Sequence, residues 1–545
     1  MFARIKKVGP YEYLQIVENR RKDKKSVQRV IATVGRMDQL RAKGEIENLA
    51  RSLSRFSEKV LLVLSGKSDG IHAEAKKIGP ALIFERLWKE LGIDRILRRL
   101  LLDRKFGFDV ERAIFMTVVH RLFTSGSDRS CDTWRRDYVI KDAEALSLHH
   151  LYRAMAFLGE ELEDQKDRTP FAPRCTKDSI EEDLFSLRQD LFSGLDLVFF
   201  DTTSIYFEGE GGAIGELGHS KDHRSDLNQM IVGVVLDHDG NPICSEMWPG
   251  NTADVKTLVP VIERIRSRFS MGKLCIVADR GMISEETVTY LAKKKIPYIL
   301  GARMRKVKEI KEDVLSRAGR YREVHPEGVS SKDPSPLKVK EVMVDNRRYI
   351  VCLNERQARK DVADRQAIIE ALQEKLKSTP KSLIGNKGYR KYLKMDRDTV
   401  SLNEQKIEEA KRFDGKWVLK TNTDLTAEQV ALKYKELWQV EQVFRDMKSV
   451  LDTRPIFHQR NETIRGHVFC SFLALTLIKE LYRRLEKAGH DFEWADIKQD
   501  LNALQEITIE DNGRKLAIRS ECNGVCGKVF QAAGVAIPLT IREVA

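Results

Sequence analysis

Apolar residues recur with two different spacings along the chain, and the changes between them divide it into segments. Residues 1–40 alternate apolar and polar positions in FARIKKV, YEYLQIVEN and VQRVIATVGR, a pattern that predicts strands. From residue 41 to 190, apolar residues recur every three or four positions, as in GPALIFERLWKELGIDRILRRLLLD, which predicts helices. The chain therefore opens with a β-rich segment that is followed by a long helical region.

Residues 191–302 predict a sheet whose later strands alternate with helices. Five apolar runs have the length and composition of strands: LVFFDTTS, MIVGVVLDHDG, PICSEMWPG, KLCIVADRG and IPYILGAR. The segments ADVKTLVPVIERIRSRF and SEETVTYLAKKK precede the last two strands, and each begins with an acid or a serine near its start, as helix capping prefers. This order predicts an α/β sheet in which the first and fourth strands can lie side by side.

The rest of the chain divides into three further segments. Residues 303–425 contain polar strands such as KVKEVMVDNRRYIVCLN, a helix DRQAIIEALQEKL and a strand GKWVLKTN. Residues 426–485 return to a strongly helical pattern, and residues 486–545 are mixed. The pattern as a whole predicts an α/β protein with a β-rich interruption.

Two acids follow apolar strands at the point where each strand ends. Asp201 comes directly after the run 197–200, and Asp279 comes directly after the run 274–278. An isolated carboxylate is costly to bury, by several kcal/mol, although an acid at a strand end can also bond its own turn. If the two strands are parallel neighbours, both acids emerge at the same edge of the sheet, where ligands bind in open α/β folds. Paired carboxylates at that edge favour a divalent cation such as Mg²⁺.

A third acid lies on a predicted helix between residues 431 and 460. Tyr434, Glu441 and Lys448 are seven residues apart, so that on one continuous helix they share a stripe. Glu441 lies at the margin of an apolar stripe that can pack on the sheet, and Lys448 is placed to hold a phosphate. The apolar stripe consists of Val440, Val443, Phe444, Met447 and Leu451. Taken alone, the same pattern is compatible with an ordinary amphipathic surface helix.

Composition and charge narrow the class of partner. The 545 residues predict two to four domains. Lys and Arg number 95 against 82 acids, which gives a net charge of +13 and favours a polyanionic partner. The eight cysteines are scattered, which is typical of a reducing cytoplasm, and the longest apolar stretch, at 468–478, is too short to span a bilayer. We therefore expect a cytoplasmic protein with no membrane partner; that it is nucleoid-associated and of bacterial type is implied only by the resemblance given next.

Several blocks of the sequence together resemble the DDE transposases of bacterial insertion sequences, in the IS4-like group and its IS1634-type branch. The blocks are GPALIFERLWKELGI, FFDTTSIYFEG, GHSKDHRSDLNQMIVGVVLD, PGNTAD, VADRGM and LWQVEQVFRDMKS, which continues into RPIFH. The group carries a signature Tyr-x2-Arg-x3-Glu-x6-Lys, which Tyr434, Glu441 and Lys448 match. Leu437 stands at the arginine position, so Lys435 and Arg445 are the candidates for the DNA contact of that arginine.

The resemblance implies a fold and a division into domains. The expected catalytic core is ribonuclease H-like and consists of residues 191–302 and 426–485, with a β-rich insertion at 303–425 between them. Residues 1–40 form an N-terminal β-rich segment, residues 41–190 a helical DNA-binding region, and residues 486–545 a C-terminal segment.

The resemblance also implies an activity. The protein is expected to bind the terminal inverted repeats of an insertion sequence and to cleave and transfer strands with Mg²⁺ or Mn²⁺, two ions per site. Asp201 would bind both ions, and Asp279 and Glu441 would bind one each. Water would free a 3′-hydroxyl that then attacks the opposite strand or target DNA, either through a hairpin or by another route. A metal-dependent nuclease without strand transfer and a catalytically silent DNA-binding relative are the alternatives.

The implied partner is double-stranded DNA, both terminal repeats and target, bound by a dimer that forms on DNA. Tyr434, Lys448 and Arg445 are the expected contacts on the helix of the third acid. Lys221 and Arg224, in the cluster GHSKDHRSDL, either face DNA or belong to a polar loop. For His458 we expect a structural role, and for Trp248 a place in the core.

Overall fold

The structure is a computed structural model. It describes residues 2–22, 25–46, 48–49, 72–166, 168–169, 172–188, 195–269, 271, 273–324, 337–378, 389–395, 400–511 and 514–544. The side chains of a few residues within these ranges, among them 195 and 196, are not described.

The strands and helices alternate in the order that the sequence pattern predicts for the central part of the chain. The strands are β1 (Phe2–Val8), β2 (Tyr11–Lys22), β3 (Lys25–Arg36), β4 (His72–Lys77), β5 (Leu195–Tyr206), β6 (Gln229–Leu236), β7 (Pro242–Pro249), β8 (Lys273–Ala278), β9 (Tyr298–Gly301), β10 (Arg322–Val324), β11 (Leu337–Val344), β12 (Arg347–Asn354), β13 (Leu393–Met395), β14 (Val400–Leu402), β15 (Lys416–Thr421), β16 (Gln505–Asp511), β17 (Arg514–Arg519) and β18 (Ile541–Val544). The α-helices are α1 (Met37–Ala42), α2 (Gly79–Glu90), α3 (Ile93–Leu100), α4 (Val110–Phe123), α5 (Asp128–Trp134), α6 (Leu148–Gly159), α7 (Thr176–Arg188), α8 (Leu258–Arg268), α9 (Glu285–Lys293), α10 (Glu355–Ser378), α11 (Glu404–Lys411), α12 (Ala427–Lys435), α13 (Trp438–Ser449), α14 (Asn461–Lys487), α15 (Trp494–Ala503) and α16 (Cys526–Ala533).

The chain separates into two compact units. The smaller unit consists of residues 1–75, 506–520 and 538–545. Within it, β1, β2 and β3 form an antiparallel sheet in chain order, where the sequence alternates apolar and polar positions. The strands β16, β17 and β18 pair in a second antiparallel sheet.

The larger unit, residues 76–505 and 521–537, is built around one large mixed sheet. Its strand order is β10-β11-β12-β15-β9-β8-β5-β6-β7 among the residues that the structure describes. The pairs β5–β8 and β8–β9 are parallel and the other pairs are antiparallel. The expected α/β class is confirmed, and the strands β10, β11, β12 and β15 of the 303–425 segment lengthen the same sheet.

The sheet is covered on both faces, which explains why β6 and β9 are buried along their whole length. Successive side chains of β5 point to opposite faces. Phe199 packs in the core that contains α13 and α14, whereas Phe200 packs in the core that contains α8 and α9. Strand β5, which carries Asp201, is therefore packed against apolar residues on both faces.

The helices on the Phe199 face pack around α14, which is buried over most of its length. Gly466 permits the closest approach, because a Cβ atom there would overlap the backbone carbonyl oxygen of Met155 on α6. The apolar stretch 468–478 lies in this buried helix. Within the described ranges, no helix is long and apolar enough to cross a membrane.

Candidate active site

The first two acids lie at the same edge of the sheet. Strands β5 and β8 are parallel neighbours, and Phe200 pairs with Ala278. Asp201 and Asp279 are the next residues on their strands, so the prediction that the first and fourth strands run side by side is confirmed. The prediction that Asp201 ends its strand is wrong, because β5 continues beyond Asp201 to Tyr206. The stretch from Phe199 to Tyr206 pairs with the antiparallel strand β6, whereas the parallel pairing with β8 stops at Phe200.

The carboxylate of Asp201 is in a crowded acidic environment. Its Oδ1 accepts a hydrogen bond from the backbone N–H of Thr202 at 2.7 Å. Burial raises the pKa of Asp201 to about 6, and the negative charges of Asp279 and Asp254 act in the same direction, whereas Lys221 opposes the rise. A cation beside the Asp201 carboxylate would therefore stabilise its charged form.

Tyr434 connects the helical layer to the second acid. Its hydroxyl donates a hydrogen bond to Oδ1 of Asp279 at 3.0 Å. Burial, together with the Asp279 charge, raises the pKa of Tyr434, so the phenol keeps its proton and remains a donor. Gly301 at the end of β9 makes room for this contact, because a Cβ atom there would overlap the Tyr434 hydroxyl. Tyr434 therefore orients the Asp279 carboxylate.

The predicted continuous helix carrying the third acid is interrupted. Helix α12 ends at Lys435 and α13 begins at Trp438, and Glu436 and Leu437 form a tighter turn between them. Leu437 is only 6% exposed and packs in the main core. The position of the signature arginine is therefore buried in this chain, and its side chain faces protein.

The apolar stripe of α13 packs on the sheet as the sequence predicts. Its members are all buried in the same core as Phe199 of β5 and Met230 of β6. They are Val440, Val443, Phe444 and Met447, with Leu451 just beyond the helix. This packing fixes which side of α13 faces the active-site edge.

Glu441 lies on the exposed margin of α13. Within the described part of the chain, its carboxylate has no hydrogen bond and no ion pair. Tyr434 before it contacts Asp279, and Lys448 after it contacts Asp222 in the loop between β5 and β6. The structure thus brings Asp201, Asp279 and Tyr434 together, and the role of Glu441 stays a prediction.

Lys448 is held by an acid of the cluster GHSKDHRSDL. Its Nζ lies 2.9 Å from Oδ1 of Asp222, and the guanidinium of Arg454 lies 3.3 Å from the same oxygen. Burial lowers the pKa of Lys448, although Asp222 opposes the shift. Lys448 therefore ties α13 to this loop and lies beside the active-site edge.

The side chains of the other predicted DNA contacts differ in which protein groups they already contact. Arg445 is exposed and donates to the side chain of Gln442 on its own helix. Arg224 makes a two-nitrogen contact with Asp226 in the same loop. Lys221 donates to the carbonyl oxygen of Thr202 at 2.6 Å and so contacts strand β5 directly.

Asp254 is a site residue that the sequence reasoning missed. Its Oδ1 accepts a hydrogen bond from Oγ1 of Thr202 at 2.8 Å, and its Oδ2 lies 3.2 Å from Nζ of Lys221. A Cβ atom on Gly281 would lie 3.7 Å from the same Oδ2, so Asp254 lies beside both strand-end segments. Its block, PGNTAD, is part of the family resemblance, but the sequence pattern around Asp254 indicates only an acid near a helix start.

The donor set at this edge fits a divalent cation. Asp201 and Asp279 supply carboxylate oxygens, which are the ligands that Mg²⁺ and Mn²⁺ prefer. Burial raises the pKa of Asp201, and a cation beside its carboxylate would offset this cost of the charged form. Asp201 and Asp279 are therefore the residues that would hold such an ion.

A second cluster, Asp128, His458 and His467, has ligand atoms within 4.8 Å of one another and borders a cavity of about 680 Å³. It does not fit a cation well. Both ring nitrogens of His467 lie within hydrogen-bond distance of the buried Arg121, and Nε2 also contacts the carbonyl oxygen of Thr453. The guanidinium already supplies positive charge next to Asp128.

The two remaining expectations concern single side chains. His458 lies 3.2 Å from Oδ2 of Asp128, which is a contact between the segment after α13 and helix α5 and agrees with a structural role. Trp248 is buried and makes an edge contact with the ring of Phe200, as expected for a core residue.

Comparison with known proteins adds the family. The family profile described as "Transposase DDE domain" matches residues 193–477, and the profile described as "IS1634 family transposase, N-terminal domain" matches residues 3–67. No curated protein matches the sequence. Among solved structures, the chain is similar to the piggyBac transposase in a cryo-EM synaptic complex with hairpin DNA, at 12% identity, a TM-score of 0.40 and coverage of 78% of this chain and 79% of that one. That likeness is too weak to equate individual residues. Because the first profile spans more than half of the sequence and the second covers its N-terminal segment, the chain belongs to the DDE transposases of the IS1634 type.

Proposed function

We propose that the protein binds the terminal inverted repeats of an insertion sequence and catalyses metal-dependent strand cleavage and strand transfer with Asp201, Asp279 and Glu441. The observation that carries this proposal is that Asp201 and Asp279 directly follow Phe200 and Ala278, the last residue pair of two parallel neighbouring strands. The family membership supports the same reaction class, hydrolysis and transesterification of DNA phosphodiesters.

The residues around the two strand ends have defined tasks in this reaction. Divalent ions, when bound, activate the attacking hydroxyl and stabilise the leaving 3′-oxygen. Asp201 is held by the Thr202 N–H, which leaves its second oxygen free of hydrogen bonds among the described residues. Tyr434 holds one oxygen of Asp279 in the same way. Both carboxylates are thus oriented before any ion or DNA arrives, which reduces the cost of reaching the reactive arrangement.

Glu441 completes the set when DNA binds. It lies between two anchored residues, since Tyr434 contacts Asp279 and Lys448 contacts Asp222. The carboxylate of Glu441 lies between them in the chain, on the exposed side of α13. Lys448 and Arg445 supply positive charge for phosphates on the same side of α13.

The larger architecture that we propose follows the family. Residues 191–302 and 426–485 form a ribonuclease H-like core, the 303–425 segment is its insertion, and the helical region 41–190 contributes to DNA binding. The protein works as a dimer on two element ends, because each active site handles one end. Mixing long and short end duplexes tests this, since a paired complex gives a band of mixed length on a gel. Only single-duplex complexes alongside full activity would contradict pairing.

The decisive experiment compares Asp201→Asn, Asp279→Asn and Glu441→Gln on end-labelled DNA that carries the terminal repeats, with Mg²⁺ or Mn²⁺. Each variant should lose cleavage by at least about a hundredfold, since each removes a metal ligand worth several kcal/mol to the transition state. DNA binding should persist. Glu436→Gln, on the turn before α13, is the matched control and should cleave normally.

The products of the same assay separate the alternatives. Labelled 3′-ends joined to target DNA support the transposase. Cleavage without joining indicates a nuclease, and binding without cleavage under either metal indicates a catalytically silent relative. Normal cleavage by Asp201→Asn would refute the assignment of the site.

A further inference from the structure

Lys221 is the ammonium that lies beside the strand-end acids, and all of its hydrogen-bonding capacity is used. Its Nζ contacts the carbonyl oxygen of Thr202 at 2.6 Å, Oγ1 of Thr202 at 3.0 Å and Oδ2 of Asp254 at 3.2 Å. An ammonium has three donors, so these three oxygens satisfy it completely. Lys221 is therefore fixed against the residue that follows Asp201.

The carboxylate of Asp254 contacts both Lys221 and Thr202. Its second oxygen, Oδ1, accepts the hydroxyl of Thr202 at 2.8 Å, so that Lys221, Thr202 and Asp254 form a ring of contacts. The side chains of Lys221 and Asp254 are about 30% exposed, which leaves the ring at the surface of the site. Asp254 also lies near Gly281, two residues beyond Asp279.

Asp201 itself is outside this ring. Its carboxylate accepts a hydrogen bond from the backbone of Thr202, and within the described residues no Lys, Arg or His nitrogen lies within 4 Å of its oxygens. The ammonium is therefore held on the neighbouring carbonyl and hydroxyl, although a carboxylate on the same strand would attract it more strongly.

We propose that Asp254 is a positioning residue that holds Lys221 away from Asp201, so that the carboxylates of Asp201 and Asp279 stay available to divalent cations. The inference rests on the proposed function, since it assumes that these two acids bind the metal. Lysine carries its charge on a flexible four-carbon chain. Without Asp254, the ammonium moves to the adjacent carboxylates and competes with the incoming ion.

The test is a double-mutant cycle with Mn²⁺ as the probe. The full-length protein without DNA is titrated with Mn²⁺, and the free ion is measured by electron paramagnetic resonance. Asp254→Asn should weaken Mn²⁺ binding by about tenfold, the range found when residues that orient metal ligands are lost. Lys221→Met should bind Mn²⁺ at least as tightly as the wild type. In the Lys221→Met background, Asp254→Asn should weaken Mn²⁺ binding by less than about threefold, since the ammonium that Asp254 holds is no longer present.

The cycle has outcomes that overturn the proposal. A loss of threefold or more from Asp254→Asn in the Lys221→Met background would show that Asp254 acts on the ion directly. Unchanged binding in Asp254→Asn alone would show that it has no role. Weaker binding in Lys221→Met would show that the ammonium assists the ion, and this variant decides the matter even if Asp254→Asn misfolds.

Two controls separate this inference from the proposed function. Asp239→Asn, an exposed acid on the turn between β6 and β7, should leave Mn²⁺ binding unchanged. Asp201→Asn should abolish Mn²⁺ binding. If Asp201→Asn keeps wild-type affinity, the metal site itself is misplaced and the proposed function fails. If Asp201→Asn behaves as expected, a failed cycle counts against Asp254 alone.

Discussion

The burial of Asp201 predicts that the Asp201→Asn variant has a larger free energy of unfolding than the wild type, by an amount that increases with pH. Burial raises the pKa of Asp201 from 3.8 to about 6, so the folded state disfavours the charged carboxylate. For an acid whose folded pKa is raised, the stabilising contribution is complete below pH 3.8 and is lost as the pH rises through about 6. Above that pH, the charged side chain destabilises the folded protein by about 3 kcal/mol.

Asn has a similar shape and no charge, so Asp201→Asn removes this cost. The free energy of unfolding of the variant should exceed that of the wild type by about 1.5 kcal/mol at pH 5 and by about 3 kcal/mol at pH 8. Urea denaturation followed by tryptophan fluorescence is the suitable assay, because all six tryptophans belong to the larger unit, which contains the site.

A divalent ion provides the second arm of this experiment. Mg²⁺ stabilises only a folded state that binds it, so it should stabilise the wild type at pH 8 and leave Asp201→Asn unchanged. The exposed Asp239 offers a control, because Asp239→Asn should change stability by less than about 0.5 kcal/mol at both pH values. A difference between Asp201→Asn and wild type that is the same at pH 5 and pH 8, or that falls as the pH rises, would refute the reasoning.

Three other perturbations follow from single contacts. Tyr434→Phe removes the hydrogen bond to Asp279 and should slow DNA cleavage by about tenfold while the protein still folds. Gly301→Ala displaces the same hydroxyl and should slow cleavage to a similar extent. A cleavage rate of Tyr434→Phe within twofold of wild type would contradict this. Leu437→Arg restores the signature residue at a buried position and should destabilise the protein by about 3 kcal/mol or more in urea; a stable variant with tighter DNA binding would show that the position is accessible. Lys448→Met should weaken end-DNA binding and reduce the slope of log K against log salt by about one, whereas an unchanged slope would exclude a phosphate contact.

The sequence predicts the edge of the sheet at which Asp201 and Asp279 lie, because the evidence for this edge is contained in short stretches of sequence. The apolar runs that precede Asp201 and Asp279 mark where the parallel pairing of their strands stops, and the strand–helix–strand order restricts which strands can be parallel neighbours. The sequence also predicts which residues of α13 are buried, because the apolar residues recur with the helical period. These features depend on a few neighbouring residues each.

The features that were missed depend on contacts between distant parts of the chain. Asp254 is brought to Thr202 by the path of the chain after β7, and nothing in its own neighbourhood distinguishes it from an acid at a helix start. No proline or glycine marks the break between α12 and α13 at residues 436–437. At this break, Leu437 is buried in the core. Helical periodicity alone therefore extended one helix across two.

Glu441 would bring a further negative charge to the edge of the sheet that holds Asp201. Three carboxylates, Asp201, Asp279 and Asp254, already lie near one another there, and the ammonium of Lys221 contacts Asp254. A fourth carboxylate brought to that edge without a cation would add like-charge repulsion in a partly buried place. We therefore expect Glu441 to complete the proposed catalytic set as DNA binds, when divalent ions supply positive charge at this edge. Helical periodicity predicts Glu441 at the margin of the apolar stripe, whereas the charges of Asp254 and Lys221 at the edge of the sheet are located only by the structure.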